Sequence, residues 1–505
     1  MSQLTTGVYH RIGTKFWSAA WQRCTILPPR LVMLMSFSCM SIVNYAFGLT
    51  AGWLLVPGDF GLLAFAQTIL TIAGLILNSG FAWPLTAALI RSNGSQRASL
   101  VRGAVTANLL LALAISVAII LLFAWGPLKP GLETWTVTGL VVMTLPLLSF
   151  IAIARATVQG FERFGVLALF WVCEVVSKAV AGVALVLAGF GVMGAVGGFL
   201  IGALIAATLA MWVLMRMFDM RPWGAIRRPS IRVASGMFGA LLGMGLLLNL
   251  DIVALKLFSD GARAMVGYYQ ASIVLANTPY YLATAMIPIL FTQIARLKGV
   301  AQTSAAVGEA CGLALILLMP IEGVLVAAPE TVLGMLFPHS YMAGASALRI
   351  LALGNSALIL VAILSAAFQA VGKAHIPARI LVAIVTCEAI MLWKIVPIWH
   401  AQGASSMFLA ATASALLVLG TSYISTLGLK AAQHAGLWLM KYAIALAIGI
   451  LVGIIVLGAG GNILLAMGLG GPCYLATALR LGLLHLASLT SRKATLQQVP
   501  LATGE

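Results

Sequence analysis

The chain is 505 residues long, 62% hydrophobic and only 8% charged, with a mean hydropathy of +1.08. Soluble domains carry roughly 25% charged residues, so a soluble fold is excluded: it could not hide this much apolar surface. The net charge of +17 would suggest nucleic acid in a soluble protein, but here the basic residues sit in short loops between apolar runs. Their role is topological, and no nucleic-acid partner is expected.

Residues 1–30 are polar and basic, with Phe16, Trp17 and Trp21, and read as a tail lying at the cytoplasmic interface. A bilayer core about 30 Å thick takes roughly 20 apolar residues per helical span. Such runs predict an all-α polytopic membrane protein with about fourteen spans: 31–56, 62–90, 103–125, 134–158, 164–188, 192–215, 233–257, 265–295, 303–327, 343–370, 377–397, 403–427, 436–458 and 462–486. The first run is too long for a signal peptide and lacks a small-residue cleavage site, so it is expected to stay as an anchor. Membrane lipid is therefore the first partner.

Alternating the loops between two faces gathers most of the 29 lysines and arginines on one of them, including Arg91, Arg97, Arg102, Arg155 and Arg163. Positive charge is retained inside, which predicts both termini in the cytoplasm. The longest basic interruption, 216–232 with Pro222 and Pro229, divides the chain into a 31–215 lobe of six spans and a 233–430 lobe of six more. Spans thirteen and fourteen (431–490) and a tail (491–505) are additions.

An internal echo supports duplication of the lobes. Gln159 ends span four and Cys173-Glu174 follows, as Gln369 ends span ten and Cys387-Glu388 follows. Spans two and eight each run from a glycine (Gly61, Gly267) past a proline (Pro84, Pro288) to a terminal arginine (Arg91, Arg296). Both echoes relate spans six apart, hence of like orientation, as in parallel repeats about an axis along the membrane normal.

A charged group at mid-bilayer costs roughly 2.5–3.5 kcal/mol on insertion scales, so charges inside spans need a cavity or a partner. Glu174 and Lys178 stand four residues apart on one face of span five and can pair near the midplane. They form either a neutralised pair that helps insertion or a cavity site in which Lys178 meets an anion and Glu174 tunes it. Glu388 sits at comparable depth in span eleven, with Lys394 nearer the outer surface. Asp251 is a candidate coupling group that lies near Lys256, which is shallow enough to snorkel; an interfacial role competes for it. Glu322, just after Pro320, could face a cavity where the helix breaks. Arg349 is either an anion contact or an outer-leaflet snorkel, and Glu309 is interfacial. Asn78, Gln159 and Asn277 add neutral hydrogen-bonding groups, each of which could instead serve only a neighbouring helix.

Other patterns carry no chemistry. Gly189-x-Gly191-x-x-Gly194 matches a dinucleotide fingerprint but no strand precedes it, so tight turning and close helix packing explain it. The sequon at Asn93 falls in a cytoplasmic loop. The six cysteines, Cys24, Cys39, Cys173, Cys311, Cys387 and Cys473, show no CxxC or metal spacing, and the six histidines are scattered. No nucleotide-binding motif or nucleophile elbow is present, so neither an enzyme nor a resident cofactor or metal is expected. Energy would come from a gradient, with H+ or Na+ as coupling ion, or from the membrane potential.

Several stretches resemble the Wzx-type polysaccharide flippases, a branch of the superfamily that also holds the MATE drug exporters and the lipid II flippases. They are Val56-Pro-Gly-Asp-Phe-Gly61, Asn78-Ser-Gly-Phe81, Gln159-Gly-Phe-Glu-Arg-Phe-Gly165, Gly267-Tyr-Tyr-Gln270, Phe337-Pro-His-Ser-Tyr341 and Leu348-Arg-Ile-Leu351. The resemblance covers roughly residues 30–430. It implies a two-lobed, fourteen-helix fold with a central cavity open alternately to each face, flipping a polyprenyl-diphosphate-linked oligosaccharide outward for O-antigen or exopolysaccharide assembly. It further implies a polysaccharide polymerase and co-polymerase as partners, the bacterial inner membrane as location, and a cationic cavity in which Lys178, Arg349 and Lys394 meet the diphosphate. Span one carries no acid and no arginine, which departs from MATE exporters and from lipid II flippases respectively. A cation-coupled exporter of small amphipathic molecules and a lipid II flippase remain the alternatives. A membrane glycosyltransferase would need larger outer loops than these.

Overall fold

The computed structural model describes residues 29–92, 94–125, 132–218, 235–258, 263–284, 287–294, 297 and 300–427, with six isolated positions beyond. All regular structure among them is helical. The 1–28 tail, most of the basic linker (219–232), the Asn93 sequon, Cys24 and the last two expected spans lie outside the described residues.

The helices follow the apolar runs. Helix α1 is Pro29–Leu54. Helix α2 (Pro57–Leu77) starts on a proline, whose missing N–H costs nothing in a first turn. It passes through a π-helical turn, Asn78–Ala82, into α3, Trp83–Arg91. Helices α4 (Gly94–Trp125), α5 (Leu132–Gly160), α6 (Phe164–Leu185) and α7 (Gly191–Met217) complete the first six spans. Span seven is two helices, α8 (Ser235–Leu247) and α9 (Leu250–Phe258), bent by 47°. Span eight is α10 (Arg263–Thr284) and α11 (Ile287–Ile294). Helix α12 (Val300–Ala327) bends by 43° where Pro320 interrupts it. The short helix α13, Pro329–Leu336, fell in what the hydropathy pattern left as a loop; α14 (Ala345–Ala370) follows.

Helix α15 runs His375–Leu427, 53 residues. At 1.5 Å per residue that is about 80 Å, far more than one bilayer core. The run is broken at His400 (φ 46°) and covers both the 377–397 and the 403–427 apolar runs.

Helices α6 and α7 form a hairpin. Its turn passes through Gly189 (φ 93°) and Gly191 (φ 53°), conformations open to glycine but strained for other residues. Beyond the turn three glycines of α7 spaced four apart, Gly194, Gly198 and Gly202, press on α6. A Cβ built at Gly194 would stand 2.8 Å from the backbone of Leu185, one at Gly198 2.5 Å from Gly182, and one at Gly202 2.8 Å from Cβ of Lys178. The partners descend as the glycines ascend, which defines an antiparallel pair. Small residues at such spacing let backbones close in a membrane, where no hydrophobic drive between helices exists. The dinucleotide-like glycines thus serve turning and packing, as read from the sequence.

The described residues fall into two compact units, 1–274 with 385–404, and 275–384 with 405–505. In the first, α7 lies against α5 and α6, α1 against α6, and a core of Ala154, Val158, Phe170, Ala210 and Leu214 joins them. Helices α8 and α9 pack with this unit too. In the second, α14 is the buried element, with α11 and α12 against it. Exposed Ile42, Leu110, Val117, Met143, Val180 and Leu187 give the helices the apolar outer faces that a bilayer demands. The protein is a multi-pass membrane protein.

Candidate functional site

The polar residues expected to carry function gather in three groups, two in the first unit and one in the second. In the first group, Glu174 and Lys178 occupy one face of α6 but do not pair with each other, a correction to the expectation from their spacing. Glu174 instead accepts from the guanidinium of Arg155 on α5 in an ion pair whose side chains are 16% and 20% exposed. Lys178 Nζ donates to Oδ1 of Asn44 on α1 at 2.5 Å. Its ammonium also stands 4.9 Å from the ring centre of Phe199 on α7 and 5.7 Å from that of Phe47 on α1. Each residue takes a partner from a neighbouring helix. Arginine matches a carboxylate better than lysine does, because its fork can give two parallel bonds. A cation over an aromatic face gains about 0.5–2 kcal/mol, so two rings and one hydrogen bond offset most of the roughly 2.5–3.5 kcal/mol of inserting Lys178.

The glycine stripe of α7 makes this arrangement possible. Because Gly198 and Gly202 bring the two backbones together at Gly182, Lys178 and Glu174, Phe199 lies directly over the ammonium. Arg155 and Asn44 were missed as site residues. Arg155 was assigned to the inner face by the topological pattern although it lies inside α5, five residues before its end. Asn44 carries no charge, and a neutral amide in an apolar span is not marked by the cost of insertion. The usable signal was there: Arg155 and Gln159 are four apart, on one face of a span that faces α6.

Gln159 itself is exposed at the end of α5. Asn78 lies in the π-helical turn, where its Nδ2 donates to the carbonyl of Gly74 at 2.7 Å, an intrahelical role. Lys394 is exposed and stands over the ring of its neighbour Trp393 at 5.7 Å, as a snorkelling lysine does. None of these three joins the Arg155–Lys178 group.

The second group also lies in the first unit. Asp251, in the first turn of α9 just past the bend, is only 2% exposed. This corrects the interfacial reading in which Lys256 was its neighbour. Its Oδ2 accepts from the Tyr269 hydroxyl on α10 at 2.7 Å, and its Oδ1 from the Ile252 N–H at 2.8 Å. Glu388, 3% exposed, lies close enough to both for their charges to interact, and among the described residues neither of its carboxylate oxygens has a hydrogen-bond partner. Tyr269 holds Asp251 alone, and aromatic content did not single it out.

In the second unit, Glu322 follows the Pro320 bend and is buried; one oxygen accepts from the Ser356 hydroxyl of α14 and the other has no partner among the described residues. Asn355 Nδ2 donates to Asn277 Oδ1 at 3.0 Å and to the Leu351 carbonyl at 3.1 Å. Arg349 is half exposed, donates from Nε to the Val326 carbonyl at 3.0 Å, and lies 3.7 Å from Glu330 on α13. The Nε contact of Arg349 caps the end of α12, and Glu309 is exposed. Among the described residues no group of three His, Cys, Asp or Glu side chains is placed to hold a metal.

With this geometry in hand, the comparisons with known proteins are informative. The sequence profile of a family described as "Polysaccharide biosynthesis protein" matches residues 34–294. Among solved structures, the lipid II flippase MurJ in an inward closed conformation superposes with a TM-score of 0.68 at 12% identity, over 91% of this chain and 99% of that one. An inward-facing multidrug resistance MATE family transporter of the MOP superfamily gives 0.57 at 17% identity, over 77% and 95%. A MATE protein in a bent conformation gives 0.53 at 14% identity, over 80% and 96%. No curated protein matches the sequence. At these identities the structural likeness is one of fold.

Proposed function

Because the chain belongs to the polysaccharide biosynthesis protein family, we propose that it is a flippase that moves a polyprenyl-diphosphate-linked oligosaccharide from the cytoplasmic to the outer leaflet. It does so by alternating access between two lobes of a helical membrane protein and performs no catalysis. The observation that carries the reading is the Arg155–Glu174 pair. Its side chains stay partly exposed inside an apolar bundle, and an ion pair facing hydrocarbon would be costly. We read the open edge of the pair as facing water, where a diphosphate can reach Arg155 and, one helical turn along the same face of α6, the caged ammonium of Lys178. The tail of the substrate stays in lipid.

An interior-negative potential favours this direction, since each negative charge exported gains about 2.3 kcal/mol per 100 mV. Coupling to H+ or Na+ would fall to Asp251 and Glu388 in the first unit and Glu322 in the second. All three are buried and two retain carboxylate oxygens without partners. The location is the bacterial inner membrane with both termini in the cytoplasm, where a polymerase and co-polymerase would consume the flipped unit. The test is a strain lacking this gene: lipid-linked oligosaccharide should accumulate on the cytoplasmic side and the gene should restore its export. Normal surface polysaccharide in that strain would refute the reading.

The surplus of buried acids supports a second reading, a cation-coupled exporter of small amphipathic molecules. It requires that purified protein in liposomes move a cationic dye against a proton or sodium gradient and that Asp251→Asn or Glu388→Gln stop it.

A further inference from the structure

The first turn of α2 and the first turn of α10 meet backbone to backbone, within one compact unit. A Cβ built at Gly267 would lie 1.8 Å from the carbonyl oxygen of Pro57. One built at Gly61 would lie 2.7 Å from the backbone nitrogen of Gly267 and 2.8 Å from the carbonyl oxygen of Arg263. Neither glycine has a positive φ, so backbone conformation does not require them. The close approach does. Deeper along the same two helices the contacts change character: Gly48 of α1 meets the Val274 side chain at 3.4 Å, and Gly245 of α8 meets the flexible end of Leu75.

Gly61 and Gly267 are also the residues at which the two halves of the sequence echo one another, each followed by a proline and a closing arginine. Equivalent residues of a parallel repeat touch each other only on the axis that relates the halves. A contact on that axis, at the N-terminal ends of α2 and α10, lies at the face expected to receive few basic residues, the outer one. Backbone makes most of this contact, joined by the Val266 side chain, whose Cβ would lie 3.0 Å from a Cβ at Gly61, so the two glycines set how closely the helices close.

We propose that the Gly61–Gly267 contact is the outer gate of the transport path: the backbones of Pro57–Gly61 and Arg263–Gly267 seal the outer face and must part for release to the outer leaflet. The assignment rests on the alternating-access reading above and adds the residues at which the outer face closes.

Two measurements test it in a cysteine-free background. The Cβ of a residue at 58 would stand 3.5 Å from Cβ of Arg263, within the range a disulfide needs. Oxidising a Gly58→Cys/Arg263→Cys protein in membranes should cross-link the two positions and abolish transport, and reduction should restore it. In the second, Gly267→Ala should increase labelling of a Val274→Cys reporter by an impermeant maleimide added outside, whereas Gly74→Ala, whose Cβ meets nothing within 4 Å, should leave labelling unchanged. A cross-link that forms without loss of transport, or that fails to form in protein of normal abundance, overturns the gate, as does unchanged labelling in a stably expressed Gly267→Ala protein. Cross-linking and labelling are readable without any substrate. If the oligosaccharide reading fails, they still report whether this contact opens.

Discussion

Lys178 and Glu174 illustrate how far spacing alone can carry a residue-level argument. Their four-residue separation puts both on the same face of a helix, and both belong to one polar group. It could not show that each would find a better partner across a helix interface, because Arg155 and Asn44 are fixed by packing. The proposed role of Lys178 is charge, so Lys178→Ala should abolish polysaccharide assembly and Lys178→Arg should preserve part of it, read by polymer yield at matched protein abundance. Full assembly by the alanine protein would remove Lys178 from the mechanism. For the ion pair, Glu174→Ala strands Arg155. Breaking a fully buried pair costs about 3–5 kcal/mol, and the partial exposure here places the loss below that. A thermal melt of detergent-purified protein should fall by several degrees, and the Arg155→Met/Glu174→Leu double variant should recover the melt but not transport. Recovery of both would reduce the pair to an insertion device.

Among the described helices, the apolar runs between residues 31 and 427 coincide with helix, because a membrane segment must be apolar over a fixed length. Hydropathy could not separate a straight span from a broken one. The bends at α8–α9 and at Pro320 place Asp251 and Glu322 in the first turns of second half-helices, where the dipole favours an acid. Proline marked one of these bends, but nothing local marked the other. The α6–α7 hairpin was legible as a glycine-rich turn, while the four-residue glycine stripe gained meaning only from what it touches. Gly198→Leu should force α7 off α6, lowering thermal stability and exposing Lys178 to acylating reagents. Gly139→Leu on α5, where an added Cβ meets nothing within 4 Å, should change neither measurement.

For the whole molecule, the asymmetry of basic residues predicts that a phosphatase fused at the C-terminus is inactive and a fluorescent protein there is bright, both reporting a cytoplasmic end. The opposite pattern would invert the face assigned to every loop. The fold class follows from composition because a bilayer permits few architectures. How the polar groups assemble does not, since that depends on helix faces and tilts which an apolar sequence encodes weakly. The compact units also divide the chain elsewhere than the basic linker does, because α8, α9 and the start of α10 pack with the first six spans.

The tight turn at Gly189–Gly191 bears on how the protein is made. As the ribosome feeds the chain into the membrane, Asn44 and Phe47 have already passed, and Phe199 follows Lys178 within a single helical hairpin. Every partner that shields this ammonium is thus present before the second half of the chain exists, and the most costly charge of the first bundle never has to wait unprotected in lipid for a later helix to arrive.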